Sequence, residues 1–192
     1  MLILASASPR RAELLRNAGI SFTVDPANVP EKRYLGESAL SYAPRQARIK
    51  ARAVLARHPE DTVLGADTVV VVDKHLLEKP TDAEDAARML RLLSGRTHLV
   101  ITGIHLANPR FRFHSDLVAT QVTFAPLSEE EIAFYVGTGE PMDKAGAYAI
   151  QGIASRWAKK IEGCYFNVVG LPVPRVYELL REAETAIGAK LL

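Results

Sequence analysis

The stretch Thr62-Val-Leu-Gly-Ala-Asp-Thr-Val-Val-Val-Val72 restricts the fold more than any other part of the chain. Thr62–Leu64 and Val69–Val72 are apolar and mostly β-branched, and they bracket Gly65-Ala-Asp-Thr68. A strand that lacks alternation between apolar and polar positions is covered on both faces, as in the interior of an α/β sheet. One charge, Asp67, stands in the middle of the run. An ionised carboxylate in such surroundings is costly unless it is paired or holds a cation.

Strands and helices mix along the remaining sequence. Leu2–Ala5 reads as a short buried strand, broken at Ser6-Ala-Ser-Pro9. Ser8 as N-cap and Pro9 at the first helical position open a helix over Arg10–Asn17, which Gly19 closes. Phe22–Val24 is a second strand, and Asp25–Gly36, with Pro26 and Pro30, is a loop. Ser38–His58 has a helical pattern rich in Ala and Arg, and Pro44 implies that the regular helix starts near Tyr42 or bends there. Further helices are expected over Asp82–Leu93, from the Ser128/Glu131 capping box to Val136, and over Val173–Ala186. Leu99–Leu106 and Val118–Phe124 alternate like paired strands, and Ala158–Ile161 is a shorter one. Asp143–Gly152 fits neither class. The expected fold is therefore α/β, a mixed twisted sheet with flanking helices.

Composition narrows the partners. Lys and Arg number 24 against 22 for Asp and Glu, so the net charge of +2 argues against nucleic acid or an anionic membrane. No run reaches the roughly 18 apolar residues of a membrane helix. The apolar start is followed, not preceded, by Arg10 and Arg11, unlike a secretory signal. One cysteine, Cys164, excludes an intrachain disulfide and reads as a buried structural thiol. The cytoplasm is the expected compartment.

Four places could carry chemistry. Ser6-Ala-Ser-Pro-Arg-Arg11 sets two hydroxyls and two guanidinium groups around a helix N-terminus, which suits a phosphate; the bland alternative is a cap with solvated arginines. At Gly65-Ala-Asp-Thr68, a bend at Gly65 with Asp67 at the point of exposure and Thr68 after it would suit metal binding or water activation. Glu31, Lys50 and Lys79 are isolated charges that gain weight only as a set: lysines for phosphate, and a carboxylate to share a metal with Asp67. Asp143–Gly152 surrounds Gln151 with small residues, so its amide could meet a base edge, or the segment could simply pack tightly. Asn167-Val-Val-Gly-Leu-Pro172 has the same ambiguity and reads as structural. The nucleotide-binding GxxxxGK[ST] and GxGxxG signatures are absent, as are GxSxG, HExxH and CxxC. The five histidines lack zinc-ligand spacing.

In order along the chain, Ala5-Ser-Ala-Ser-Pro-Arg-Arg11, Gly65-Ala-Asp-Thr68, Glu78-Lys-Pro80, Leu93-Ser-Gly95 with Thr97-His98, Asp143-Lys-Ala-Gly-Ala-Tyr148, Gln151-Gly152 and Asn167-Val-Val-Gly-Leu-Pro172 resemble the Maf family of nucleoside triphosphate pyrophosphatases. The likeness spans nearly all of residues 1–192, treated as a single domain. It implies two lobes around a cleft, a fold similar to that of inosine triphosphate pyrophosphatases, and a homodimer. It further implies Asp67 as the catalytic acidic residue and Glu31 as its partner on a divalent metal, Mg²⁺ or Mn²⁺. Ser6, Ser8, Arg10, Lys50 and Lys79 take the place of the triphosphate grip. Arg11, Thr68 and Gln151 follow the branch that hydrolyses dTTP and UTP to the monophosphate and pyrophosphate. In the helix usually written R-L-A-x-x-K-A, this chain has Arg45-Gln-Ala-Arg-Ile-Lys-Ala51, with Pro44 before it. Two rivals are a nucleotide-binding regulator of cell division and septum formation without catalysis, and a pyrophosphatase for modified purine nucleotides.

Overall fold

A computed structural model describes residues 1–188 and 190–192, with the side chains of 111–113 left out of the description. Among the described residues, seven strands and six α-helices are interspersed. They are β1 (Leu2–Leu4), α1 (Pro9–Asn17), β2 (Thr23–Val24), α2 (Ala39–Leu55), β3 (Thr62–Val72), β4 (His75–Leu77) and α3 (Ala83–Leu93). There follow β5 (Thr97–Asn108), β6 (Phe111–Phe124), α4 (Glu129–Gly137), β7 (Ala158–Glu162), α5 (Tyr165–Val169) and α6 (Val173–Ile187). Between α4 and β7 the chain makes 3₁₀ turns at Glu140–Asp143, Ala145–Ala147 and Ile153–Trp157. None of the described helices is long and apolar enough to cross a membrane.

The strands are hydrogen-bonded in the order β2-β1-β3-β5-β6-β7, and β4 pairs with β3 off that path. β1 is parallel to β2 and to β3, whereas β3–β4 and β6–β7 are antiparallel, so the sheet is mixed as its composition of elements implies. β3 is unbroken from Thr62 to Val72 and has few solvent-reached positions. Its β-branched run thus forms the interior strand expected of it.

By contacts the chain divides into two compact units, and β3, β5 and β6 contribute residues to both. The first comprises Met1–Asp67, Thr102–Val118 and Gly170–Leu192. Here α2 lies on the sheet through Ala43, Ala47 and Ala51, spaced four apart on one helix face and fully buried. Two sheet glycines admit it. A Cβ on Gly65 of β3 would stand 2.1 Å from the Ala47 carbonyl oxygen, and one on Gly103 of β5 would stand 2.4 Å from Pro44 N. Ile3, Ala5, Val54 and Val63 complete the packing beneath the helix.

This close contact corrects two expectations. Pro44 neither delays nor ends the helix, which begins at Ala39 under a Ser38 cap and runs through the proline. Proline removes one helical N–H, and here its nitrogen faces the bare Cα of Gly103, so helix–sheet packing outweighs the local penalty. Gly65 makes no bend either; it is the notch that lets the α2 backbone touch β3.

The second unit comprises Thr68–Ile101 and Ala119–Val169. Its core is aromatic: Phe124 packs edge-on against His98, Tyr148 and Trp157, and Tyr135 against Trp157. The Ser128/Glu131 capping box forms as read from sequence. Asn167 is fully buried and donates to the Val100 carbonyl at 2.9 Å and to Thr120 Oγ1 at 3.0 Å, a structural role as expected. Cys164 is only half-buried, not the interior thiol expected; its backbone exchanges hydrogen bonds with Thr120 Oγ1.

Candidate active site

Asp67 lies two residues beyond Gly65 on β3, so its side chain leaves the same face of the strand, the face covered by α2. Lys50 is the residue before Ala51 on that helix, and its Nζ donates to Asp67 Oδ1 at 2.6 Å. The same ammonium pairs with Glu31 Oε1 at 2.7 Å. Asp67 and Lys50 keep only 8% and 10% side-chain exposure, while Glu31 keeps 41%. Asp67 is therefore buried, not at a point of exposure, and Glu31 is the rim of the cluster. Burial pushes the Asp67 carboxyl above the ordinary carboxylate range; Lys50 and Arg11 oppose the shift and Glu31 adds to it.

The loop bearing Glu31 is tied to α2. Arg45 forms a fork with Glu37 at 2.5 and 2.6 Å and donates through Nη2 to the Lys32 carbonyl at 2.9 Å. Its guanidinium also lies 4.1 Å from the centre of the Tyr34 ring. Gln46, fully buried on the next helical position, donates to the same Lys32 carbonyl at 3.4 Å. The residue after Glu31 is thus held by two side chains of the helix that carries Lys50. The sequence reading overlooked Arg45 in this role. Its clue was Glu37, an acidic partner near the end of an otherwise unstructured loop.

The Ser6 loop closes the cluster from the end of β1. Ser6 is buried, and its Oγ accepts from Ser8 N at 3.2 Å and from Arg11 Nη1 at 3.1 Å. Ser8 caps α1 without a side-chain bond to the helix, leaving its hydroxyl out of the capping geometry. Arg11 Nε donates to the Gly170 carbonyl at 2.8 Å. Burial lowers the pKa of this guanidinium, against the pull of the Asp67 and Glu31 carboxylates. Arg10, its partly exposed neighbour, sits in the first turn of the same helix.

A profile of the Maf-like protein family matches residues 1–183. The chain belongs to the Maf-like family. A relative from Koribacter versatilis (strain Ellin345), named dTTP/UTP pyrophosphatase, is 60% identical over 182 residues, covering 95% of this chain and 94% of its own. Another of that name from Escherichia coli O157:H7 is 52% identical over 180 residues, covering 93% and 91%. Among solved structures, a nucleoside-triphosphatase / dITP/XTP pyrophosphatase from Mycobacterium abscessus aligns over 97% of this chain and 96% of its own, with a TM-score of 0.45 and 16% identity.

Of the positions singled out through the Maf resemblance, seven belong to the first unit: Ser6, Ser8, Arg10, Arg11, Glu31, Lys50 and Asp67. Hydrogen bonds and ion pairs join Lys50 to Asp67 and Glu31, and Ser6 to Ser8 and Arg11. Thr68, Lys79 and Gln151 belong to the second unit. Thr68 follows Asp67 on β3 and so leaves the opposite face of the strand. Lys79 and Gln151 are exposed. Gly146, one of the small residues of the Asp143–Gly152 segment, packs tightly on Val70, 2.8 Å from where a Cβ would stand.

The Asp67–Glu31 pair fits a hard divalent cation. Both carboxylates already converge on one cationic nitrogen, and oxygen donors suit Mg²⁺, which is often held by one or two carboxylates plus water and phosphate oxygens. Among the described residues no group of three or more His, Cys, Asp and Glu side chains is placed to hold a metal. The remaining positions of such an ion would fall to water and substrate.

Proposed function

We propose that this Maf-like chain hydrolyses dTTP and UTP to the monophosphate and pyrophosphate, with Asp67 as the catalytic carboxylate. The observation that carries this reading is the convergence of Asp67 and Glu31 on Lys50 beside the Ser6–Arg11 helix start. The names of the relatives above support the same activity and the same pair of substrates.

Asp67 and Glu31 would hold a divalent metal, Mg²⁺ or Mn²⁺, which when bound neutralises triphosphate charge and polarises phosphorus. Asp67 orients a water and takes its proton, and burial favours that step by making this carboxylate more basic than an exposed one. The water oxygen bonds to the α-phosphorus, the α–β bridging P–O bond breaks, and pyrophosphate leaves with that bridging oxygen. Lys50, Arg10 and Lys79 stabilise the charge that collects on the departing oxygens, while Ser6 and Ser8 position the chain of phosphates. Arg11, Thr68 and Gln151 read the pyrimidine base. The enzyme acts as a homodimer, a reading that rests on the family resemblance, and in the cytoplasm, the compartment expected from the sequence. A panel of nucleoside triphosphates, with pyrophosphate and phosphate measured separately, tests the assignment. dTTP and UTP should lead, with ATP and GTP poor; a preference for purine or modified purine nucleotides would overturn the base assignment.

A further inference from the structure

The five residues Ala149–Ile153 have Gln151 at their centre, and both ends of this segment are tied to one carboxylate. Ile153 N donates to Glu140 Oε1 at 3.1 Å. At the other end Ala149 N donates to the Tyr135 hydroxyl at 3.0 Å, and that hydroxyl donates to the same Oε1 at 2.9 Å. Gly152 lies against the carboxylate so closely that a Cβ there would stand 2.2 Å from Oε1. Within the segment, Gly152 N closes on the Ala149 carbonyl at 3.0 Å. Ile150 is buried, which fixes the segment from below, and Gln151 alone among the five is exposed.

A carboxylate that accepts a backbone N–H and a tyrosine hydroxyl at once defines the backbone path between them. The Cα–Cβ bond at the middle of such a path has its direction set before any ligand arrives, and polar groups on a pre-organised backbone discriminate better than those on a mobile one. We propose that Glu140, with Tyr135 as its relay, is a positioning residue that sets substrate-base specificity by fixing Gln151. This rests on the reading of Gln151 as a base-recognising residue. It also gives Gly152 a specific cause, since only a residue without Cβ leaves room for the carboxylate.

The test compares Glu140→Gln and Tyr135→Phe with Gln151→Leu, measuring kcat and KM for UTP, CTP and GTP by pyrophosphate release. Tyr135→Phe deletes one oxygen from a buried ring, so it probes the relay with the fold kept, as thermal unfolding would verify. Both variants should lose about tenfold or more of the preference for UTP over CTP and GTP, chiefly through a higher KM for UTP. Adding either change to Gln151→Leu should then cost little more selectivity, because both act through the same side chain. Equal losses on all three nucleotides, or full additivity with Gln151→Leu, would overturn the clamp while leaving the hydrolase reading intact. If Gln151→Leu itself leaves selectivity unchanged while UTP is still cleaved, the base-reading role fails and the clamp fails with it. A wild-type chain that releases no pyrophosphate from UTP would sink the functional reading first.

Discussion

Replacing Asp67 by Asn keeps the shape of a side chain packed between β3 and α2 and removes only its charge. Turnover should fall by about 10²-fold or more, as for loss of an acid–base or metal-binding group. A variant with the wild-type rate in a pyrophosphate-release assay would remove Asp67 from the mechanism. Glu31→Gln changes a more exposed group, so its defect should be milder and partly relieved by raising Mg²⁺. Lys50 offers a separate test through pH. Its ammonium holds down a carboxyl that burial pushes up, so Lys50→Met should raise the Asp67 pKa further. Because the base works only when ionised, the acid limb of kcat/KM should move to higher pH in the variant. An acid limb that stays in place would show that Lys50 does not govern the ionisation of Asp67. The same substitution leaves a buried charge without its closest partner, a loss of about 3 kcal/mol in stability.

At the scale of elements, the α2–β3 contact sets the site, because it brings Lys50 to Asp67. Gly65→Ala would drive a methyl into the Ala47 carbonyl and should cost about 1–3 kcal/mol or more, seen as a lower Tm, with activity falling as the helix shifts. An unchanged Tm would mean that the helix yields without strain. This contact also shows where sequence is informative. The β3 run, the Ser8-Pro9 start of α1 and the Ser128/Glu131 box are written in consecutive residues, and each appears where expected. Helix α2 is different, since Pro44 speaks against it locally and only the glycines at 65 and 103, far along the chain, explain why it persists. The segment Asp143–Gly152 resisted assignment for a similar reason. Its 3₁₀ turns have no periodic pattern and take their shape from Glu140, Tyr135 and the packing of Gly146 on Val70. Likewise Asp67 stood out as a charge in an apolar run and Glu31 counted only as one of a set, but their convergence on one ammonium follows from the fold, where Arg45 and Gln46 hold the loop beside Glu31.

For the molecule as a whole, stability should depend on pH through two interior histidines, one in each unit. Burial lowers the pKa of both His98 and His105 from 6.5 to about 4. As pH falls below about 6.5 the unfolded chain takes up these protons before the folded one does, so the stability these two residues contribute should drop until about pH 4 and change little below it. The full shift corresponds to roughly 3 kcal/mol for each residue. His98→Gln should flatten the fall of Tm over that window, and a slope equal to wild type would exclude His98 as a contributor. What the molecule does with a triphosphate turns on which bond it breaks. Incubation of UTP with the protein and Mg²⁺, with products resolved by anion-exchange chromatography, measures this directly. UMP and pyrophosphate should appear in equal amounts from the first turnovers, and UDP with orthophosphate as the first products would contradict cleavage of the α–β bond.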